Sequence, residues 1–177
     1  MTNNKRLGTF KVTSGAVMVS DPCYKRGTWC HGKIENVKNG VWRAAVGISH
    51  EGAWGDRVAF LIATHGDIPV YGTKLDRHEA EFEVGVDSGQ AGIFDDTHYQ
   101  DESVAPPDEP NEFDDRWYSM CCNATDNYAG IIPFGVVSSS GFGDGGYECT
   151  YYTNSDGEVV RIIIDYGLVD ILDFGGL

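Results

Sequence analysis

Two glycine-bent stretches place carboxylates where chemistry could occur. The first is Val84-Gly-Val-Asp-Ser-Gly-Gln-Ala-Gly-Ile-Phe-Asp-Asp96, the second Gly141-Phe-Gly-Asp-Gly-Gly-Tyr-Glu148. Asp and Ser bond backbone two residues on, and Gly accepts positive φ, so Asp87-Ser88-Gly89 is turn chemistry between apolar runs. The expected ligand-binding set is Asp87, Ser88, Gly89 and Asp95 with Gly143, Asp144, Gly145 and Tyr147, provided the two loops meet. Adding Asp21 gives a second grouping. Asp21, Asp87, Asp95 and Asp144 could hold a hard divalent cation such as Ca²⁺ or Mg²⁺, or supply the paired carboxylates of acid–base hydrolysis. The plainer alternative is that each aspartate caps its own turn. No segment has the twelve-residue calcium-loop spacing, and no cofactor other than such a cation is implied.

The other reactive types organise less well. Cys23, Cys30 and His31 share one loop, and Cys121-Cys122 fall on an expected helix. Their spacing does not suit the paired ligands of a structural zinc. His31, His50, His65 and His98 are candidate bases for a thiol nucleophile, but no residue order marks a nucleophile elbow. Gly141–Gly146 is rich enough in glycine to cradle an anion on backbone N–H groups. A tyrosine-bearing strand follows it instead of a helix, so the dinucleotide fingerprint fails on context. Trp29, Trp42, Trp54, Trp117, Tyr147, Tyr151 and Tyr152 are expected mostly as core or cross-strand pairs. Any that gather beside the glycine loops could stack on a ligand.

The chain of 177 residues carries 27 acids against 13 bases, a net charge of −14. That surface repels phosphate backbones and anionic bilayers, so nucleic acid and membrane are not the expected partners. An unidentified protein or small molecule is. The N-terminus lacks a signal-peptide apolar core, no run approaches the roughly eighteen apolar residues of a membrane helix, and the cysteine count is odd. A cytoplasmic protein with reduced thiols is the expectation.

The elements that must position these residues read as mainly β. Residues 1–8 are expected as a flexible tail, and 9–177 as one β-rich domain. Thr9–Val12 and Ala16–Val19 read as a hairpin about Thr13-Ser-Gly15. Gly40–Ile48 reads as a strand, Arg57–His65 as a central strand covered on both faces, and Glu79–Val86 as another strand. Residues 99–111 hold three of the 6 prolines and read as an exposed acidic loop. Glu112–Ala124 reads as a helix capped by Asn111, with Phe113, Trp117, Met120, Cys121 and Ala124 in one stripe. Strands interrupted at Pro133 follow, then the hairpin Tyr147–Thr153 and Glu158–Asp165 about Asp156-Gly157. Val169–Leu177 reads as an edge strand. No internal repeat is evident. About nine to eleven strands with one or two short helices predict a β-sandwich or a strongly bent antiparallel sheet.

Together, Thr13-Ser-Gly15 to Ser20-Asp-Pro22, Arg57-Val-Ala59, Val86-Asp-Ser-Gly89 to Phe94-Asp95, Gly141–Gly145 and Asp156-Gly157-Glu158 resemble an uncharacterised bacterial and phage family, a domain of unknown function. The resemblance runs from about Thr9 to Tyr166 and implies one intact domain. It brings no activity with it; residues 99–111 and Cys121-Cys122 depart from its pattern. Three readings follow. The favoured one is a non-catalytic binding protein that holds a partner at the Gly/Asp loops. The others are a metal-dependent hydrolase using the aspartates and a structural component of a larger particle.

Overall fold

A computed structural model describes residues 2–29, 32–69, 72–109 and 114–171. It is a sandwich of two antiparallel sheets, with 49% of the described residues in strands. The strands are β1 (Thr2–Val12), β2 (Ala16–Ser20), β3 (Gly32–Glu35), β4 (Gly40–His50), β5 (Asp56–His65), β6 (Asp76–Glu79), β7 (Val84–Val86), β8 (Gln90–Asp95), β9 (Ala129–Ile132), β10 (Gly135–Ser139), β11 (Gly145–Thr153) and β12 (Val159–Asp165); the helix α1 is Arg116–Thr125. One sheet runs β1-β4-β5-β12-β11-β6, with β7 also on β11; the other runs β3-β2-β8-β10-β9. No helix among the described residues is long and apolar enough to cross a membrane.

Three packed layers explain the hydrophobic patterning. Between the sheets, alternate strand positions bury Val12, Val17, Trp42, Val46, Leu61, Ile93, Val136 and Ile162. On the outer face of the smaller sheet, Trp117, Met120 and Cys121 of α1 pack on Met18, Phe94 and Val137. Arg116–Thr125 is helical because its apolar positions recur at three- and four-residue spacing. The start is fixed by Asp115, whose carboxylate accepts from Tyr118 N at 2.8 Å. On the outer face of the larger sheet, Ala59, Phe60, Ile62 and Ile163 lie under Leu168, Val169 and Ile171. β5 is thus covered on both faces.

The molecule has an internal two-fold pattern. In the larger sheet, β1-β4-β5 meets its counterpart β12-β11-β6/β7; in the smaller, β3-β2 meets β8-β10. Val12-Thr-Ser-Gly15 opens β2 as Val86-Asp-Ser-Gly89 opens β8, and Asp21 and Asp95 follow at the same spacing. Gly15 and Gly89 take φ of 72° and 71°, a left-handed conformation that favours glycine. Gly15 O accepts from Val37 N at 2.9 Å and Gly89 O from Ser140 N at 3.0 Å. Trp42 meets His65 edge-on at 5.8 Å, and Tyr147 meets Tyr166 edge-on at 5.0 Å. The repeat escapes the sequence because few side chains of each copy agree. Its second copy also carries an insertion with α1 and β9 between β8 and β10.

Several expectations are corrected. Residues 2–8 are the first part of β1, paired along β4 from Thr2↔Ser49; a polar edge strand resembles a tail in composition. β1 and β2 are no hairpin, because Thr13-Ser-Gly15 carries the chain from one sheet to the other. The segment expected as one strand over 79–86 breaks into β6 and β7 about residues 80–83, at the position equivalent to a smaller irregularity in β1 between Arg6 and Gly8 in the other half. Within the loop expected as exposed at 99–111, Tyr99 and Ala105 are buried against α1. β3 was not anticipated. Asn111, Glu112, Phe113 and residues 172–177 lie outside the described residues, as do Cys30 and His31.

Candidate functional site

Asp21 and Asp95 are fully buried, and each spends its carboxylate on the start of the other's strand. Asp21 Oδ2 accepts from Asp87 N at 2.9 Å and Ser88 N at 2.7 Å; its Oδ1 accepts from Cys23 N at 2.8 Å and Ser88 Oγ at 2.7 Å. Asp95 Oδ2 accepts from Thr13 N at 2.5 Å and Ser14 N at 2.9 Å, and its Oδ1 from Thr97 N at 3.1 Å. These are reciprocal clamps across the β2–β8 pair. Each fully buried carboxylate is thereby satisfied by the turn that opens the other strand.

The clamps redistribute the expected site. The register Val17↔Asp95 and Ser20↔Gly92 puts Asp21 and Asp95 at opposite ends of β2. Asp21, Asp87, Asp95 and Asp144 therefore do not converge as cation ligands. Among the described residues no group of three His, Cys, Asp or Glu side chains could hold a metal ion. Asp95 stands apart from the remaining ligand-binding set. The other members are adjacent: Gly145 pairs with Val86, so Asp144 and Asp87 are the next residues of neighbouring strands, and Ser140 N bonds Gly89 O. Asp87 and Asp144 are both exposed. Asp87 occupies the position of Thr13 in the equivalent clamp but gives only its backbone N–H, whereas Thr13 also donates its hydroxyl to Asp95 Oδ2 at 3.3 Å.

Beside these carboxylates lies a feature that sequence reasoning missed. Phe142 is 58% exposed and Trp54 is 70% exposed, and the rings meet edge-on at 6.3 Å. Trp54 closes a short 3-10 turn, Gly52–Trp54, at the β4–β5 tip. Phe142 stands in a turn with little freedom. Gly143 N bonds Ser140 O at 2.6 Å, Ser140 Oγ bonds Gly143 O at 2.8 Å, and Tyr147 OH donates to Gly143 O at 2.7 Å. Gly141 takes φ 49°, and a Cβ there would meet Tyr166 Cβ at 3.1 Å. Tyr147 and Gly143 thus shape the loop that holds Phe142 out. An aromatic flanked by glycines is the signal the sequence offers for Phe142.

Three of the thiols are quiet. Cys121 and Cys149 are buried, and burial pushes both upward, Cys149 to about 12. Cys23 is exposed, yet desolvation of its thiol, together with the Asp21 and Asp87 carboxylates, pushes it up to about 12. Tyr118, on α1, is raised to about 12 by burial, against a hydrogen bond with Ser88. None of these groups is poised for nucleophilic work near neutral pH.

No family model matches the chain, and neither does any curated protein or solved structure.

Proposed function

We propose that this is a non-catalytic binding protein whose contact surface is the corner formed by the 87–89 turn, the 140–145 loop and the 51–55 tip. One observation carries the reading: two large exposed aromatic rings meet from separate loops, Phe142 on the hydrogen-bonded 140–143 turn and Trp54 on the 51–55 tip. Exposed aromatic surface contributes little to folding, and Trp is enriched among residues that dominate interfaces. Pre-ordering also lowers the entropic cost of association. The buried aspartates, by contrast, are committed to backbone groups and do not favour hydrolysis.

The test is site-specific photo-crosslinking. A photoreactive phenylalanine analogue replaces Phe142 in one variant and Lys38, at the equivalent corner of the other half, in a second. Discrete adducts from position 142 that disappear on adding Asp87→Ala and Asp144→Ala support the reading. Equal yields from positions 142 and 38 would sink it.

A further inference from the structure

The charge around the aromatic pair indicates what the partner carries. A groove of about 330 Å³ runs from Tyr147 to the segment between β6 and β7, lined by Glu79, Glu81, Phe82, Glu83, Tyr147 and Glu148. Tyr147 links the two features, since it lines the groove and its hydroxyl holds Gly143. The Glu83 carboxylate lies so close over Gly146 that a Cβ there would collide with it. Glu79 is paired with Arg77. Among the described residues, Glu81, Glu83, Glu148, Asp87 and Asp144 have no ion pair. Glu148 sits directly opposite Asp165 across β11 and β12, a like-charge pairing that costs stability unless a cation intervenes. Burial first, and then Glu148 and Asp170, hold the Asp165 carboxyl above its ordinary range. The tip adds Glu51 and Asp56 against Arg57, with Asp56 held by His50 at 2.8 Å. In the other half, Arg6 stands at the register position of Glu79 and the uncharged Leu7, Gly8 and Thr9 follow it, so acidity here is not a requirement of the fold.

We propose that the partner is a protein presenting a basic segment, with one arginine or lysine against the Trp54 and Phe142 rings and further cations along the glutamate groove. This rests on the binding-protein reading above. A cation over an indole or phenyl face is attracted by the ring quadrupole, and the carboxylates supply long-range attraction and orientation. Because the groove is open and follows a strand edge, the matching shape is an extended segment.

Fluorescence anisotropy at ~0.15 M salt tests it with two labelled peptides, one alternating arginine with alanine and one with every arginine replaced by glutamine. The proteins are the wild type, Trp54→Ala/Phe142→Ala, which leaves net charge unchanged, and Glu81→Gln/Glu83→Gln/Glu148→Gln. Each is first checked for wild-type melting, with Trp54→Leu/Phe142→Leu as the substitute if the alanine pair fails to fold. The arginine peptide should bind the wild type, lose about tenfold or more in affinity on the aromatic double variant, and show a flatter salt dependence on the glutamine variant. Four outcomes overturn the proposal. No binding of the arginine peptide does so directly. Equal binding to the aromatic variant means only general attraction to an acidic surface. Equal binding of the glutamine peptide at the same rings removes the cationic requirement but leaves the corner as a binding surface. Self-association by sedimentation that the aromatic variant abolishes makes a second copy the occupant, again leaving the corner intact. Failure of the binding reading itself shows separately, as loss of the position-142 crosslinks.

Discussion

The two halves close the same gap in different ways. In one, residues 36–39 lie over the β11–β12 tip. Lys38 N bonds Val159 O at 2.9 Å, Val159 N bonds Asn36 O at 2.8 Å, Asn36 Nδ2 bonds Gly157 O at 2.8 Å, and Lys38 Nζ meets Glu158 Oε2 at 3.0 Å. In the other, residues 140–144 approach the β4–β5 tip. Among the described residues no backbone hydrogen bond joins these two, and Phe142 and Trp54 meet instead. The first corner shows that the fold can be sealed with backbone hydrogen bonds, an ion pair and buried valines, without exposed aromatic rings. The aromatic pair at the second is therefore an addition that folding does not ask for.

The sharpest way to break the comparison is to remove the clamps, which both halves share. Asp21→Ala and Asp95→Ala should each destabilise by about 3 kcal/mol or more, because each removes a fully buried carboxylate that makes several charge-assisted hydrogen bonds. Urea unfolding should show similar losses for the two; a silent Asp95→Ala would mean the halves are not equivalent. Asp21→Asn should also speed alkylation of Cys23 relative to wild type, since one of the carboxylates that raise the thiol is neutralised. An unchanged rate would assign the shift to burial alone.

A smaller effect is expected from acid. Burial raises the Asp96 carboxyl, but Arg26 and Lys33 outweigh it and hold it below the usual range. A depressed carboxyl contributes stability above its unfolded value and loses it as pH falls through the folded one. The melting temperature of wild type should therefore drop more steeply than that of Asp96→Asn below about pH 4. Parallel curves would remove the ion pairs from the account. The smallest effect belongs to the corners. Trp54→Ala/Phe142→Ala should change stability by no more than ~0.5 kcal/mol, and Lys38→Ala should shift the urea midpoint only slightly. A large loss from the aromatic pair would make it a structural seal and remove its availability for a partner.

Much of this architecture was legible where local chemistry decides it. Asp156-Gly157 between β-branched runs specified the β11–β12 hairpin, the apolar run from Val58 specified a strand covered on both faces, and Trp117, Met120 and Cys121 specified α1. What stayed hidden depends on distant pairing. Whether Thr13-Ser-Gly15 folds back or crosses between sheets is decided by Asp95, far along the chain. The polar start of β1 becomes a strand only because β4 is beside it. The candidate loops do adjoin, but no spacing rule distinguishes an aspartate turned into its fold, such as Asp21, from one left in water, such as Asp144. Phe142 went unnoticed because exposure is a property of the finished surface.

The reciprocal clamps bear on how the chain can be divided. Cutting between β5 and β6 would leave each piece with a carboxylate whose turn belongs to the other, and a turn whose carboxylate is missing. Neither fragment could complete its own sheet corner, so the cooperative unit spans both halves, and mixed fragments should regain structure only by finding each other.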